Sequence, residues 1–305
     1  MQIPFAKLHG LGNDFVFIDD FSRTLDLSPE QVALLCDRHF GIGADGVILV
    51  RPSQREECSA YMHYINSDGT LAEMCGNGIR CFAKFLYDHG YLNEASNSFI
   101  ADTKRGPLSL TFTCNDEGVF DTATVDMDEP IFDPARIPTA LPVSSSSFVP
   151  GGCVQSEELD SPWGTFAFTC VSMGNPHAIC FLDNIDQMSD ECFVSSHHSL
   201  ETLNVDKIGS YFESHEAFPA KCNIEFIEMG SDGLYMRVYE RGCGETLACG
   251  TGACASLVAS VLTGRSAREN FVHLRGGTLA ISWDTNNHVY MTGPARQSFT
   301  GVVEI

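Results

Sequence analysis

The chain has 305 residues, 44% of them hydrophobic and 19% charged, with a formal net charge of −22. Such a composition is ordinary for a globular protein, and the length suits two domains of common size. The acidity argues against nucleic acid or an anionic membrane surface as partner, because both call for a basic face.

The first residues, Met1 to Lys7, lack a charged segment followed by an apolar core, so no signal peptide is expected. No apolar run along the chain approaches the roughly 20 residues of a membrane span. From Leu8 to Asp19 the pattern reads as a strand, a turn at Gly12-Asn13 and a second strand. Ser28 to Asp37 predicts a helix, with Ser28 as cap and Pro29 at its first position. Gly41-Ile42-Gly43-Ala44-Asp45-Gly46 fits G-x-G-x-x-G, but it follows a helix and opens the strand Val47 to Val50. A dinucleotide fingerprint needs the reverse order, so this is read as a glycine-rich turn. Tyr61 to Ile65 reads as a strand leading into the turn Asn66-Ser67-Asp68-Gly69.

Next comes Thr70-Leu71-Ala72-Glu73-Met74-Cys75-Gly76-Asn77-Gly78, followed by a helical run with Ile79, Phe82, Ala83 and Leu86 on one face and Gly90 near its end. From about Phe99 to Val125 alternation predicts antiparallel strands. Residues 133 to 162 hold several prolines, four consecutive serines from Ser144 to Ser147, Gly151-Gly152 and Glu157-Glu158. They are expected to form a linker or surface excursion.

The second half repeats the order of the first. Gly174-Asn175 lies between apolar runs, as Gly12-Asn13 does. After an acidic stretch from Asp183 to His215, Asn223 to Met229 reads as the counterpart of the strand at Gly46 to Val50. Tyr235 to Tyr239 leads into Thr246-Leu247-Ala248-Cys249-Gly250-Thr251-Gly252 and a helix over Ala253 to Leu262, with Gly264 as its C-terminal cap; short strands close the chain. The expected fold is therefore α/β (α+β), two pseudo-symmetric domains from an internal duplication. Their expected bounds are 1–132 and 163–295, with one cysteine from each in a shared cleft.

A cysteine just before a helix meets the unpaired N–H groups and the positive end of the helix dipole, which favours thiolate. Two such cysteines suit one reaction. One takes the proton from a stereocentre, the other gives a proton to the opposite face, and configuration inverts without a cofactor. Backbone N–H groups at the helix ends, bared by glycine, could hold the substrate carboxylate and the charge building on it.

Gly12-Asn13-Asp14-Phe15, Asn66-Ser67-Asp68-Gly69, Cys75-Gly76-Asn77-Gly78, Gly174-Asn175-Pro176-His177, Glu240-Arg241-Gly242 and Gly244-Glu245-Thr246 through Cys249-Gly250-Thr251-Gly252 together resemble the diaminopimelate epimerase family. The resemblance covers nearly the whole chain outside 133–162. It implies a mostly antiparallel sheet wrapped around a central helix in each domain, with a C-terminal strand from about 296 to 305 joining the first. It implies Cys75 and Cys249 as the acid–base pair, without cofactor or metal, acting on diaminopimelate in the cytoplasm for lysine and peptidoglycan-precursor synthesis. Gly76, Asn77, Gly250 and Thr251 would cradle the reacting carboxylate. Asn13, Asn66, Asn175, Asn223, Glu240 and Arg241 would recognise the rest, Arg241 taking the distal carboxylate as a two-pronged pair and Glu240 the distal ammonium. Gly46 stands where some members carry a side-chain amide.

Rival readings stay open at this stage. His177 either supports the substrate site or holds a turn, and Asn13 and Asn175 could serve turn backbone alone. Cys243, Cys249 and Cys254 with a histidine could bind zinc, or the thiols could do redox chemistry, though no Cys-x-x-Cys supports either. A proline-racemase-like enzyme would keep both cysteines, and a phenazine-biosynthesis-like isomerase would lack them. The 13 cysteines show no secreted-type framework and read as mostly reduced thiols. A homodimer is left open.

Overall fold

The computed structural model describes residues 1–92 and 96–305. The chain divides into two compact units. The first comprises 1–126 and 292–305, the second 127–291. Strands dominate both.

In the first unit β1 (Gln2–Gly10) and β2 (Asn13–Asp19) form an antiparallel hairpin. Its turn puts Leu11 at φ 57° and Gly12 at φ 88°, the left-handed pair that a two-residue hairpin needs. Helix α1 (Pro29–Cys36) crosses to β3 (Gly46–Arg51), which runs parallel to β2. Ser28 caps α1 through a capping box with Gln31, and Pro29 sits at its start. β4 (Ala60–Asn66) returns antiparallel to β3. Helix α2 (Gly76–Asp88) then leads to β5 (Ser98–Thr103), parallel to β4. β6 (Gly106–Cys114) and β7 (Phe120–Asp126) continue antiparallel.

The second unit repeats this path. β8 (Glu157–Ser161), β9 (Gly164–Ser172) and β10 (Pro176–Phe181) are antiparallel in turn. Helix α3 (Val205–Glu213) crosses to β11 (Asn223–Met229), parallel to β10. β12 (Leu234–Glu240) returns antiparallel and carries the short β13 (Gly244–Thr246). Helix α4 (Gly250–Leu262) leads to β14 (Glu269–Leu274), parallel to β12, and β15 (Gly277–Trp283) pairs antiparallel with β14. β16 (Val289–Pro294) carries the chain out of this unit. β17 (Arg296–Glu304) pairs antiparallel with β1 of the first.

The two ladders superpose residue by residue. His177 opposes Asn223 as Phe15 opposes Gly46, and Ile179 opposes Glu225 as Phe17 opposes Ile48. Gly46 is thus the counterpart of Asn223, and Ile48 that of Glu225. A Cβ on Gly46 would stand 2.6 Å from both the Ile65 carbonyl oxygen and the Tyr64 ring. The missing amide at this position therefore has a packing cause.

Several elements differ from the sequence reading. The glycines after each cysteine form the first turn of each helix, with the cysteine itself as cap, so the helices start three residues before Ile79 and Ala253. Helix α3 was hidden in the acidic stretch by Gly209 and Ser210. Gly209 is needed there, since a Cβ would lie 2.4 Å from Tyr239 Cβ. The segment 133–162, expected as a linker or excursion, contributes Ile137, Leu141 and Val154 to the core of the second unit, together with Phe168, Phe212 and Phe226. Its prolines and serines alternate with apolar residues that bury.

Restoring the amide by Gly46→Asn should overpack the β3–β4 pair and lower stability by about 1–3 kcal/mol. Urea unfolding of the variant against wild type measures this, and an unchanged midpoint counts against the packing account.

Candidate functional site

In the first unit the local geometry starts at Cys75. Its backbone is extended, with φ −138°, and the Gly78 N–H donates to its Sγ at 3.5 Å. The glycine at that position keeps the helix close to the sheet, since a Cβ there would reach 3.0 Å from Met62 Cε. The Cys75 thiol donates to Asn13 Oδ1 at 3.4 Å, and Asn77 Nδ2 donates to the same oxygen at 3.2 Å. The Asn13 amide in turn donates to Asp45 Oδ2 at 2.5 Å. Behind this chain lies Arg80, fully buried, donating to Asn77 Oδ1 at 2.9 Å, the Gly76 carbonyl at 3.0 Å and the Pro294 carbonyl at 3.3 Å. Burying a guanidinium is tolerable only when its donors are met. Asp14 is also tied down; against the cost of burial, hydrogen bonds and charge from Arg38 and Lys7 hold it below its usual range. Asn66 closes the turn leading to Cys75, its amide donating to Thr70 Oγ1 at 3.0 Å. Asn13, Cys75 and Asn77 are thus brought into one network. Asp45 and Arg80 belong to it and were not singled out from sequence.

In the second unit Cys249 caps α4 and is buried, with its Sγ 3.6 Å from Thr251 Oγ1. Burial pushes this thiol well above its ordinary pKa. The charges of Glu240 and Glu225 add to the rise, while the Thr251 hydroxyl and the Gly252 N–H pull the other way. At Cys249 desolvation and two carboxylates therefore oppose the helix N-terminus, which favours thiolate.

Below Cys249 lies a polar pair. His177 and Glu225 are both fully buried, with Nδ1 and Oε1 2.6 Å apart. Nε2 of His177 stands 3.1 Å from Asn175 Oδ1. Burial raises the Glu225 pKa against the opposing charge of His177. Among the described residues, Glu225 Oε2 is buried with no hydrogen-bond partner. His177, Glu225 and Cys249 offer ligand atoms within 4.8 Å of one another. The zinc set considered from sequence differs from this cluster, since Cys243 is exposed and Cys254 lies inside α4.

Asn223 joins two segments, its amide donating to the Pro176 carbonyl at 2.8 Å and its oxygen accepting the Arg241 N–H at 2.9 Å. Glu240 accepts the Thr246 hydroxyl at 2.5 Å. Arg241 is exposed, with Nη1 3.3 Å from the Ala220 carbonyl. The loop carrying both is anchored by a two-pronged pair, Arg237 Nε to Glu245 Oε1 at 2.6 Å and Nη2 to Oε2 at 2.8 Å. Glu225 escaped the sequence reading, although it carried a signal: a charge in the middle of the apolar strand Asn223 to Ile227.

Comparison with known proteins places this architecture. In fold the chain is similar to a hydroxyproline epimerase from Agrobacterium vitis, with TM-score 0.67 and 13% identity, over 99% of this chain and 91% of that one. A PhzF-family phenazine biosynthesis protein from Bacillus anthracis matches with TM-score 0.66 and 18% identity, over 100% of each chain. The family model for diaminopimelate epimerase matches residues 5–132 and 169–297. Diaminopimelate epimerases from Leptospira biflexa serovar Patoc and a Synechocystis strain are 43% and 45% identical, each over 100% of both chains. The chain belongs to the diaminopimelate epimerase family.

The Arg237 pair makes a pH prediction. Against the cost of burial, Arg237 and Arg275 hold the Glu245 carboxyl below its usual range of about 4.5. A depressed carboxylate pKa stabilises the fold above the unfolded value, and the stabilisation disappears as pH falls through the folded one. Glu245→Gln should therefore cost about 2–3 kcal/mol at neutral pH, and the gap to wild type should close as pH drops below 4.5. Denaturant unfolding at both pH values checks this, and a gap independent of pH would remove the ion-pair account.

Proposed function

We propose that the chain converts LL-diaminopimelate to the meso form without a cofactor, with Cys75 and Cys249 as the two acid–base groups. The observation that carries this is the matched pair of N-cap cysteines, each opening a 13-residue helix that begins Gly-x-Gly. Full-length similarity to proteins named diaminopimelate epimerase supports the substrate. Among cofactor-independent reactions on amino acids, inversion needs two groups of one type, because forward and reverse reactions exchange their roles. Two thiols meet that need.

The first turns of α2 and α4 point backbone N–H groups out of the helix ends, where a carboxylate and the charge building on it are stabilised. We assign this cradle to Gly76, Asn77, Gly250 and Thr251. Asn13, Asn66, Asn175 and Asn223 supply amides for the remaining polar atoms, with His177 fixing Asn175. Glu240 takes the distal ammonium. Arg241 takes the distal carboxylate, and its exposure leaves its donors open to a ligand. Lysine and peptidoglycan-precursor synthesis in the cytoplasm is the setting we assign. All 13 cysteines are free thiols, which suits a reducing compartment. Among the described residues no helix is long and apolar enough to cross a membrane. We assign no nucleic-acid or membrane partner, and a homodimer is compatible with this reading.

The test is incubation of the reduced protein with LL-diaminopimelate in D₂O, following the Cα proton by NMR. Loss of that signal with appearance of the meso form is expected, and a folded, reduced protein that exchanges nothing would sink the reading. Cys75→Ala and Cys249→Ala should each lower kcat by about 10²–10⁴-fold with the fold intact; full activity in either removes the two-thiol mechanism. Arg241→Lys should raise KM about tenfold or more, because a point charge cannot reproduce the fork. An unchanged KM counts against that contact.

A further inference from the structure

The internal repeat provides a control for the polar pair under Cys249. At the equivalent positions under Cys75 stand Phe15 and Ile48, and both meet the Gly78 position of α2 at ordinary van der Waals distance. The fold is therefore satisfied by an apolar pair there. In the second unit a histidine and a glutamate replace them, fully buried, and one carboxylate oxygen has no hydrogen-bond partner among the described residues. Leaving such an atom unmet costs about 1–3 kcal/mol, and burying an imidazole with a carboxylate adds a desolvation penalty.

We propose that His177, Glu225 and Cys249 form a binding site for a thiophilic divalent cation of the zinc type, which holds the enzyme in an inhibited state. Imidazole, carboxylate and thiolate are the ligand types of three-ligand zinc sites with an open fourth position. Their ligand atoms lie within 4.8 Å of one another. Ligands around one zinc stand about 3.3–3.8 Å apart, so about 1 Å of side-chain movement closes the set. Gly252 is what lets these groups lie so close to the helix, since a Cβ there would sit 2.6 Å from Glu225 Oε1 and 3.3 Å from Cys249 Sγ. The imidazole has Nδ1 turned toward Glu225 at 2.6 Å and Nε2 3.1 Å from the Asn175 oxygen, a neighbour of the kind that orients metal-bound histidines.

On binding, the Cys249 thiol proton leaves to solvent and the thiolate ligates the metal. Glu240, whose charge bears on Cys249 from β12, adds further attraction for a cation. The inhibition rests on the reading of Cys249 as a proton-transfer group; the binding does not.

The test uses metal-free, reduced full-length protein without substrate, titrated with Co²⁺ and then Zn²⁺. One Co²⁺ per chain is expected, with a sulfur-to-cobalt charge-transfer band that Zn²⁺ displaces. Zn²⁺ should release protons into weak buffer as the thiol becomes a ligand. Cys249→Ser should abolish the band, and exposed Cys243→Ser should leave it unchanged. The double variant His177→Phe, Glu225→Ile copies the first unit's pair, so its fold is expected to survive, and its Co²⁺ affinity should fall more than about tenfold. No band in wild type, a band that survives Cys249→Ser, or unchanged affinity in a folded double variant overturns the proposal. Zinc inhibition without the cobalt band places the metal elsewhere and overturns it equally. A protein that binds Co²⁺ through Cys249 but does not epimerise would leave the metal site standing and reject the epimerase reading.

Discussion

A helix enclosed by a sheet can offer its polar backbone only at its ends, and both units of this chain are built on that constraint. In α4 every residue but Thr251 is buried, and in α2 burial runs unbroken from Gly76 to Leu86. The enclosing strands need close approach, which is why glycine stands at the third position of each helix. The same glycines keep side chains away from the N–H groups of the first turn. Packing and binding thus ask for the same residue at the same place. The cysteine that caps each helix inherits its position from this arrangement.

The two caps nonetheless sit in different electrostatic surroundings. Cys75 is half-buried and joined to Asn13 by a neutral hydrogen bond, with the Arg80 guanidinium behind the first turn. Cys249 is buried beside carboxylates, and its thiol form is favoured. A duplicated backbone supplies similar positions, and the side chains underneath give each thiol its own surroundings.

Much of this was legible from sequence because the informative residues are local. Gly-x-Gly after cysteine, the Gly-Asn turns and the Ser28-Pro29 start each act within a few residues, and each sits where its chemistry predicts. What stayed hidden depends on pairing between distant segments. Glu225 looks like one charge in a strand until the parallel register with β10 sets it against His177. Arg80 looks like a surface residue of an amphipathic helix until the sheet closes over it. Gly46 looks like a lost contact until Tyr64 and the Ile65 carbonyl are seen to fill the space a side chain needs. Helix α3 was masked because Gly209 lowers helix propensity while serving contact with Tyr239.

The strong acidity bears on what holds Arg241. With 40 acidic and 18 basic residues, a cation on this chain is surrounded by competing carboxylates. Arg38, Arg51, Arg237 and Arg265 are all taken by them. The carboxylate of Glu213 lies at the same loop, where it accepts the Gly242 N–H through one oxygen and Lys221 through the other. Against the cost of burial, these partners hold it ionised below its usual range. Glu213 is therefore saturated, and it orders the loop without capturing the guanidinium next to Gly242. The uncharged Ala220 carbonyl accepts from Arg241 instead, at 3.3 Å.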